Sequence, residues 1–214
     1  MDAVLGNVDV FAGGFLRTLT LTLVSGVLAL LLGTLLAAMR VAPAAPLRGA
    51  GTVYVEVVRN TPLTIVFFFA VFVLPQLDVR MSFFTFAVVA LSVYHAAFFC
   101  EAVRSGINSV GVGQAEAARS IGLTFSQTLR HIVLPQAFRT VVPPLINVFI
   151  ALTKNTSIAS AFAVAELTAV GSRLANETGR AIPVLLGTAV CYLILTIPAG
   201  LFAGAVETRV AVAR

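Results

Sequence analysis

Charge is what this chain has least of. Only 11% of its 214 residues are Asp, Glu, Lys or Arg, whereas 59% are hydrophobic, and the mean hydropathy is +1.01. A soluble domain covers its surface with about 25% charged residues. The shortage excludes an ordinary water-soluble fold and makes lipid the solvent over much of the chain. Lysine occurs once, at Lys154, and cysteine twice. Cys100 and Cys191 lie inside apolar runs and read as buried free thiols rather than a disulfide or a metal site. No G-x-x-x-x-G-K-[ST] loop is present, so the chain cannot hold ATP phosphates by that route. Zinc-type clusters, nucleophile–base arrangements and paired catalytic carboxylates are also missing, so no catalytic residue, metal or cofactor is expected in this chain. The leading stretch MDAVLGNVDVFAGG lacks a positive n-region, so the first apolar run is expected to stay as a membrane helix. There is no internal repeat, which counts against the secondary transporters built from inverted repeats.

The sequence does contain long apolar runs, each able to cross a bilayer as about 20 helical residues. Five spans are expected, at about residues 14–39, 50–74, 83–103, 140–157 and 182–205, in a single transmembrane domain covering 1–214. The fold class is therefore all-α integral membrane. In the first span Ser25, Gly26, Gly33 and Thr34 are small enough for close helix contact. Pro62 should kink or break the second span. Pro143 and Pro144 are expected in the first turn of the fourth, where a missing donor costs little. Residues 157–181 read as a short helix and then a polar outer loop carrying Glu166, Arg173, Glu177 and Arg180.

The net charge of +5 and pI near 10.0 could suggest nucleic acid, but the arginines fall at the ends of apolar runs rather than in one patch. With the N-terminus outside, Arg40, Arg48, Arg104, Arg119, Arg130, Arg139, Arg209 and Arg214 lie inside, and Arg80, Arg173 and Arg180 outside. That excess supports this orientation, with the C-terminus cytoplasmic.

Charged residues within spans are candidates for a substrate path, because apolar helices tolerate them only beside a cavity, a partner or a function. Lys154, Asn155, Thr156 and Ser157 form a polar cluster that could attract a carboxylate; Lys154 could equally snorkel or pair with an acid. Glu56 and Arg59, three apart, share a helix face and read as an ion pair beside Pro62. Glu101 and Arg104 have the same spacing. His95 is expected in a helix–helix hydrogen bond, and His131 in water.

The most polar long stretch, within a loop of about 105–139, is EAARSIGLTFSQTLRHIVLP at residues 116–135. Ala115, Ala118 and Gly122 recur at helical spacing and form a smooth face of small residues. Gly122 can take positive φ and end a helix. Thr124 and Gln127 have capping-box spacing for a second helix, which Pro135 should stop or kink. The segment reads as helix, bend, helix along the membrane surface.

Glu116, Ala117, Ala118, Gly122, Ile132, Leu134 and Pro135 reproduce, in type and spacing, the EAA loop of bacterial ABC importer permeases. RNTPLT from Arg59, SGINSVGVGQAEAARSIG from Ser105 and ALTKNTSIAS from Ala151 resemble the polar-amino-acid branch, most of all actinobacterial glutamate-uptake permease subunits. The resemblance implies that the loop is a coupling helix inserted into a cleft on a cytoplasmic ATPase. Glu116 would be a contact or capping residue, Ala117 and Ala118 a close-fitting face, and Gly122 the bend. It further implies an ABC ATPase dimer that binds ATP and Mg, a second permease subunit, identical or paralogous, and an extracytoplasmic amino-acid-binding protein, all at a bacterial plasma membrane and with no nucleic acid. The expected function is the multi-pass permease subunit of an ATP-driven importer for polar amino acids, glutamate or glutamine first. An ion-coupled carrier using Lys154, Glu101 and His95, and a non-transporting scaffold, are the alternatives.

Overall fold

The computed structural model describes residue 4 and residues 6–211, and is helical almost throughout. Helix α1 (Val8–Val41) begins inside the expected polar lead. At about 1.5 Å per residue its 34 residues exceed a hydrocarbon core of roughly 30 Å. One stripe of it is buried: Ser25 and Gly33 meet α4 (Phe83–Asn108), Gly26 faces Phe149, and Thr18 meets Glu166 and Leu167. Leu23, Val27 and Leu31 on the opposite side are exposed, as lipid-facing residues must be. Thr34 does not join the stripe: it is exposed and its hydroxyl bonds back to Leu30 O.

The expected span at 50–74 is not one rod. Helix α2 (Ala45–Arg59) and helix α3 (Leu63–Phe68), which continues through a wide turn (Phe69–Val73) and a tight one (Leu74–Leu77), meet at 104°. The cause is Pro62, which caps α3 in an extended conformation and cannot continue α2. Val55 fastens α2 against Ala37, Ala97 and Cys100, and the Tyr54 hydroxyl donates to Val93 O at 2.8 Å. Among the described residues four helical stretches are long and apolar enough to cross a membrane: Val8–Val41, Phe83–Gly106, Pro135–Phe162 and Ala181–Thr208. The bent pair makes five if counted as one span. The window in α4 is 61% buried and that of the last stretch 17%, so α4 is the central helix.

After α4 the chain forms α5 (Val112–Ser120) and α6 (Phe125–Thr128), then a π-type turn (Leu129–Val133) that runs straight into α7 (Leu134–Asn155). Pro135 therefore does not stop the second helix. The widened turn ahead of it relieves the clash of its ring with the carbonyl four residues back, and Pro135 sits in the first turn of α7. Because α7 begins there, Pro143 and Pro144 fall inside it rather than in its first turn.

A 3₁₀ stretch (Thr156–Phe162) and a left-handed Ala163 then lead to α8 (Leu167–Thr178). The expected outer loop is thus mostly a helix with a buried face of Leu167, Val170 and Leu174. Helix α9 (Ala181–Ala211) packs on α7 and α8.

Where the polar loop leaves the membrane domain, α4 and α7 touch at Gly106 and Val141, both buried. A Cβ on Gly106 would overlap the Val141 side chain and stand 3.1 Å from its Cα. Gly13 has nothing within 4 Å of the same position. Gly106→Ala should lower the thermal midpoint of the purified chain, by about 1–3 kcal/mol of overpacking, while Gly13→Ala, in open space within a helix, should hold or slightly raise it. Equal midpoints for the two variants would show that the α4–α7 neck is not tightly packed.

Candidate functional site

Two helices that bracket the polar loop also line a cavity. Tyr94, His95 and Phe98 of α4 face Val148, Ala151 and Asn155 of α7 across about 180 Å³. Nδ1 of His95 lies 2.9 Å from Leu91 O. A carbonyl can only accept, so Nδ1 carries the proton and Nε2 accepts from the Asn155 amide at 3.2 Å. The expected helix–helix bond of His95 is therefore present, and it spans the cavity wall. Asn155 keeps Oδ1 free of any protein donor among the described residues.

The polar cluster after it divides. Lys154 is exposed, Thr156 is buried with its hydroxyl given to Thr153 O, and Ser157 gives its own to Lys154 O. Of the four, only Asn155 lines the cavity. A larger groove of about 400 Å³, between Val57, Val58, Thr61, Ile65, Val66 and Phe69, has almost no polar lining and nothing to orient a charged solute.

Glu101 lies six residues beyond His95 on the same helix, on the loop side. Its Oε1 pairs with Arg40 and its Oε2 with Arg104 at 2.9 Å. Arg59 points to the same carboxylate at 3.9 Å, so the expected Glu56–Arg59 pair is not formed. The break at Pro62 ends α2 beside α4, where Glu101 competes for the guanidinium, and Glu56 is left exposed. The Glu101–Arg104 pair is present as expected; the link to Arg40 on α1 has no sequence signature.

In the polar segment the chain closes α5 with a Schellman motif. Gly122 takes φ +90°, Leu123 N donates to Ala118 O and Gly122 N to Arg119 O, at 3.1 and 3.0 Å. Thr124 and Gln127 then form the capping box reciprocally, Thr124 N to Gln127 Oε1 at 2.9 Å and Gln127 N to Thr124 Oγ1 at 3.3 Å. Glu116, Ala117, Gly122 and Pro135 are exposed, Ile132 is half-buried, and the side chain of Leu134 lies outside the described residues. Ala118 is buried, so the two alanines separate: Ala117 is open to a partner and Ala118 packs within the chain. Ile121, at the tip, is 79% exposed, a large apolar residue left without cover. Arg119, Arg130, His131 and Arg139, in the same polar stretch and the helix that follows, are exposed.

Sequence reasoning missed Glu166. Placed there in a polar loop, it is fully buried in the structure. It caps α8 by accepting from Ala169 N at 2.9 Å, and its Oε2 accepts from Tyr192 of α9 at 2.6 Å and from Thr18 of α1 at 3.4 Å. Thr18 in turn accepts from Leu167 N at 3.0 Å. Burial pushes the Glu166 carboxyl above the ordinary carboxylate range, and these donors pull it back. One carboxylate thus ties α1, α8 and α9 together. The sequence signal available was a lone acid before an apolar helical repeat.

An all-helical bundle with four or five candidate spans, and an exposed helix–bend–helix continuous with its cavity helices, has the layout of an integral membrane protein. The family model for the binding-protein-dependent transport system inner membrane component matches residues 29–212, and the chain belongs to that family. It is 44% identical over 211 residues to the glutamate transport system permease protein GluC of Corynebacterium efficiens, covering 92% of each. It is 40% identical over 203 residues to the "Probable glutamine ABC transporter permease protein GlnM" of Bacillus subtilis, covering 95% of this chain and 94% of that one. Among solved structures, an amino acid ABC transporter with histidines superposes with a TM-score of 0.90 at 30% identity, over 96% of both chains. The MetNI methionine ABC transporter, at 0.76 and 23% identity over 95% of this chain and 97% of that one, shares the fold.

Replacing Glu166 by Ala strands the Ala169 N–H and removes the acceptor of Tyr192, whose hydroxyl keeps Thr168 Oγ1 at 2.9 Å. The expected loss is about 3 kcal/mol, against about 1 kcal/mol for Glu166→Gln, which keeps an acceptor for Ala169. Thermal unfolding of the purified chain should rank wild type above Gln above Ala. An Ala variant as stable as wild type would remove Glu166 as a structural hub.

Proposed function

We propose that this chain is the permease subunit of an ATP-driven importer for a polar amino acid, glutamate or glutamine. The observation that carries this reading is continuity. The exposed helix α5 is tied by a left-handed glycine and a capping box to α7, which with α4 lines the cavity. A cytoplasmic ATPase that binds ATP and Mg would seat on Glu116, Ala117 and Ile121. Closure of the ATPase dimer would then swing α4 and α7 as rigid bodies and turn the cavity from one side of the membrane to the other. A second permease subunit completes the pore, a binding protein delivers the substrate, and the N-terminus lies outside. The names of the relatives support an amino acid as cargo, and the cavity suits one. Asn155 Oδ1 offers an acceptor to an ammonium group, and the aromatic walls enclose a short side chain.

The test is transport by the complex reconstituted with its ATPase and binding protein. Gly122→Val forces a β-branched residue to φ +90°, at about 1–3 kcal/mol of strain in the bend, and Glu116→Lys reverses the exposed charge. Both should insert normally, keep ATP hydrolysis and lose about tenfold or more of uptake. Wild-type uptake by both variants would refute docking through α5. Uptake without any ATPase, abolished by a protonophore, would establish an ion-coupled carrier instead.

A further inference from the structure

The cluster around Glu101 is unbalanced. Three guanidinium groups, from α1, α2 and α4, meet one carboxylate, a formal excess of two positive charges. The three are not held alike. Arg40 and Arg104 each hydrogen-bond one carboxylate oxygen, and Arg59 hydrogen-bonds neither. Arg59 stands at 3.9 Å from an oxygen that Arg40 already occupies, beyond hydrogen-bond reach. Its guanidinium makes no hydrogen bond to any described residue, and 41% of the side chain is exposed. What holds it is the ring of Phe98, whose centroid lies 5.7 Å from its Cζ. Phe98 is also a wall of the cavity. The one loosely held cation of the cluster therefore stands at the loop end of that cavity, with its planar fork of donors unspent.

We propose that Arg59 is the carboxylate-binding group at the loop end of the cavity. A ligand carboxylate takes the guanidinium that Glu101 holds only weakly, while Asn155 faces the ligand from the other helix. This rests on the reading that the cavity receives an amino acid. The fork geometry of arginine matches a carboxylate in two parallel hydrogen bonds. Glu101, neutralised by Arg40 and Arg104, does not repel the incoming anion strongly. The same donors would suit a phospholipid headgroup phosphate, and the test separates the two.

The experiment is equilibrium binding of radiolabelled glutamine and of its α-carboxamide analogue to the purified permease–ATPase complex. It is done without binding protein, in detergent and in nanodiscs with or without anionic phospholipid. Wild type should prefer glutamine over the analogue by about tenfold, the value of one charged hydrogen-bonded pair. In Arg59→Gln the two should bind equally, at the weaker affinity. Arg59→Lys, which keeps the charge and loses the fork, should fall between, and gives a readout should the Gln variant fail to assemble. Undiminished preference for glutamine in either variant overturns the proposal and leaves amino-acid transport standing. An effect of Arg59→Gln seen only with anionic lipid assigns the site to a headgroup and also overturns it. A wild-type complex that binds neither ligand, nor radiolabelled glutamate, overturns the amino-acid cavity itself, and this inference with it.

Discussion

The contact between α4 and α7 is the constraint on which the rest of this structure depends. A segment in water can act on a cavity in a bilayer only through elements that do not bend between the two. Here the polar loop begins where α4 ends and finishes where α7 starts. At the neck Gly106 and Val141 press together without room for a methyl group. Further along, His95 and Asn155 join the same two helices by a hydrogen bond in the cavity wall. Under the proposed function, close packing at one end and a polar tie at the other would let the pair act as one lever, because packed interiors shift between arrangements rather than stretch.

The remaining helices hold that lever. The small-residue stripe of α1 lets it lie along α4, and Arg40 at its end fixes the loop side through Glu101. On the far side of the bundle Glu166 gathers α1, α8 and α9 around one carboxylate. A buried carboxylate is retained at a cost and only when its oxygens are satisfied, as these are. The two acidic hubs differ in kind. Glu166 is closed off and saturated, a joint between helices. Glu101 is partly buried and faces three guanidinium groups, more positive charge than one carboxylate neutralises.

What the sequence disclosed were features governed by neighbours in the chain. Gly122 with Ala118 and Arg119, and Thr124 with Gln127, are motifs of three to five residues, and the structure forms both as their spacing required. The break at Pro62 was likewise local. What escaped were partners brought together by packing. Nothing near Arg59 in the sequence shows that α2 would end against α4, so Glu56 seemed its natural mate. Nothing near Glu166 shows that Thr18 and Tyr192 would meet it. The status of Pro143 and Pro144 turned on where α7 starts, which the widened turn before Pro135 decides. Ala118 was expected on a partner-facing surface and is buried within the chain, and a smooth face of small residues reads the same in either place.

The most direct test is a distance within the chain. Spin labels on Ile121→Cys at the tip of the loop and Asn147→Cys on α7, with Cys100 and Cys191 replaced, report whether loop and cavity move together. In the assembled transporter, adding ATP under conditions that block hydrolysis should leave this separation unchanged. The Ile121 label and its counterpart on the second permease subunit should meanwhile draw closer. A within-chain separation that shifts or broadens with ATP, with the distance between subunits fixed, would mean that the loop flexes on its own, contradicting the rigid lever.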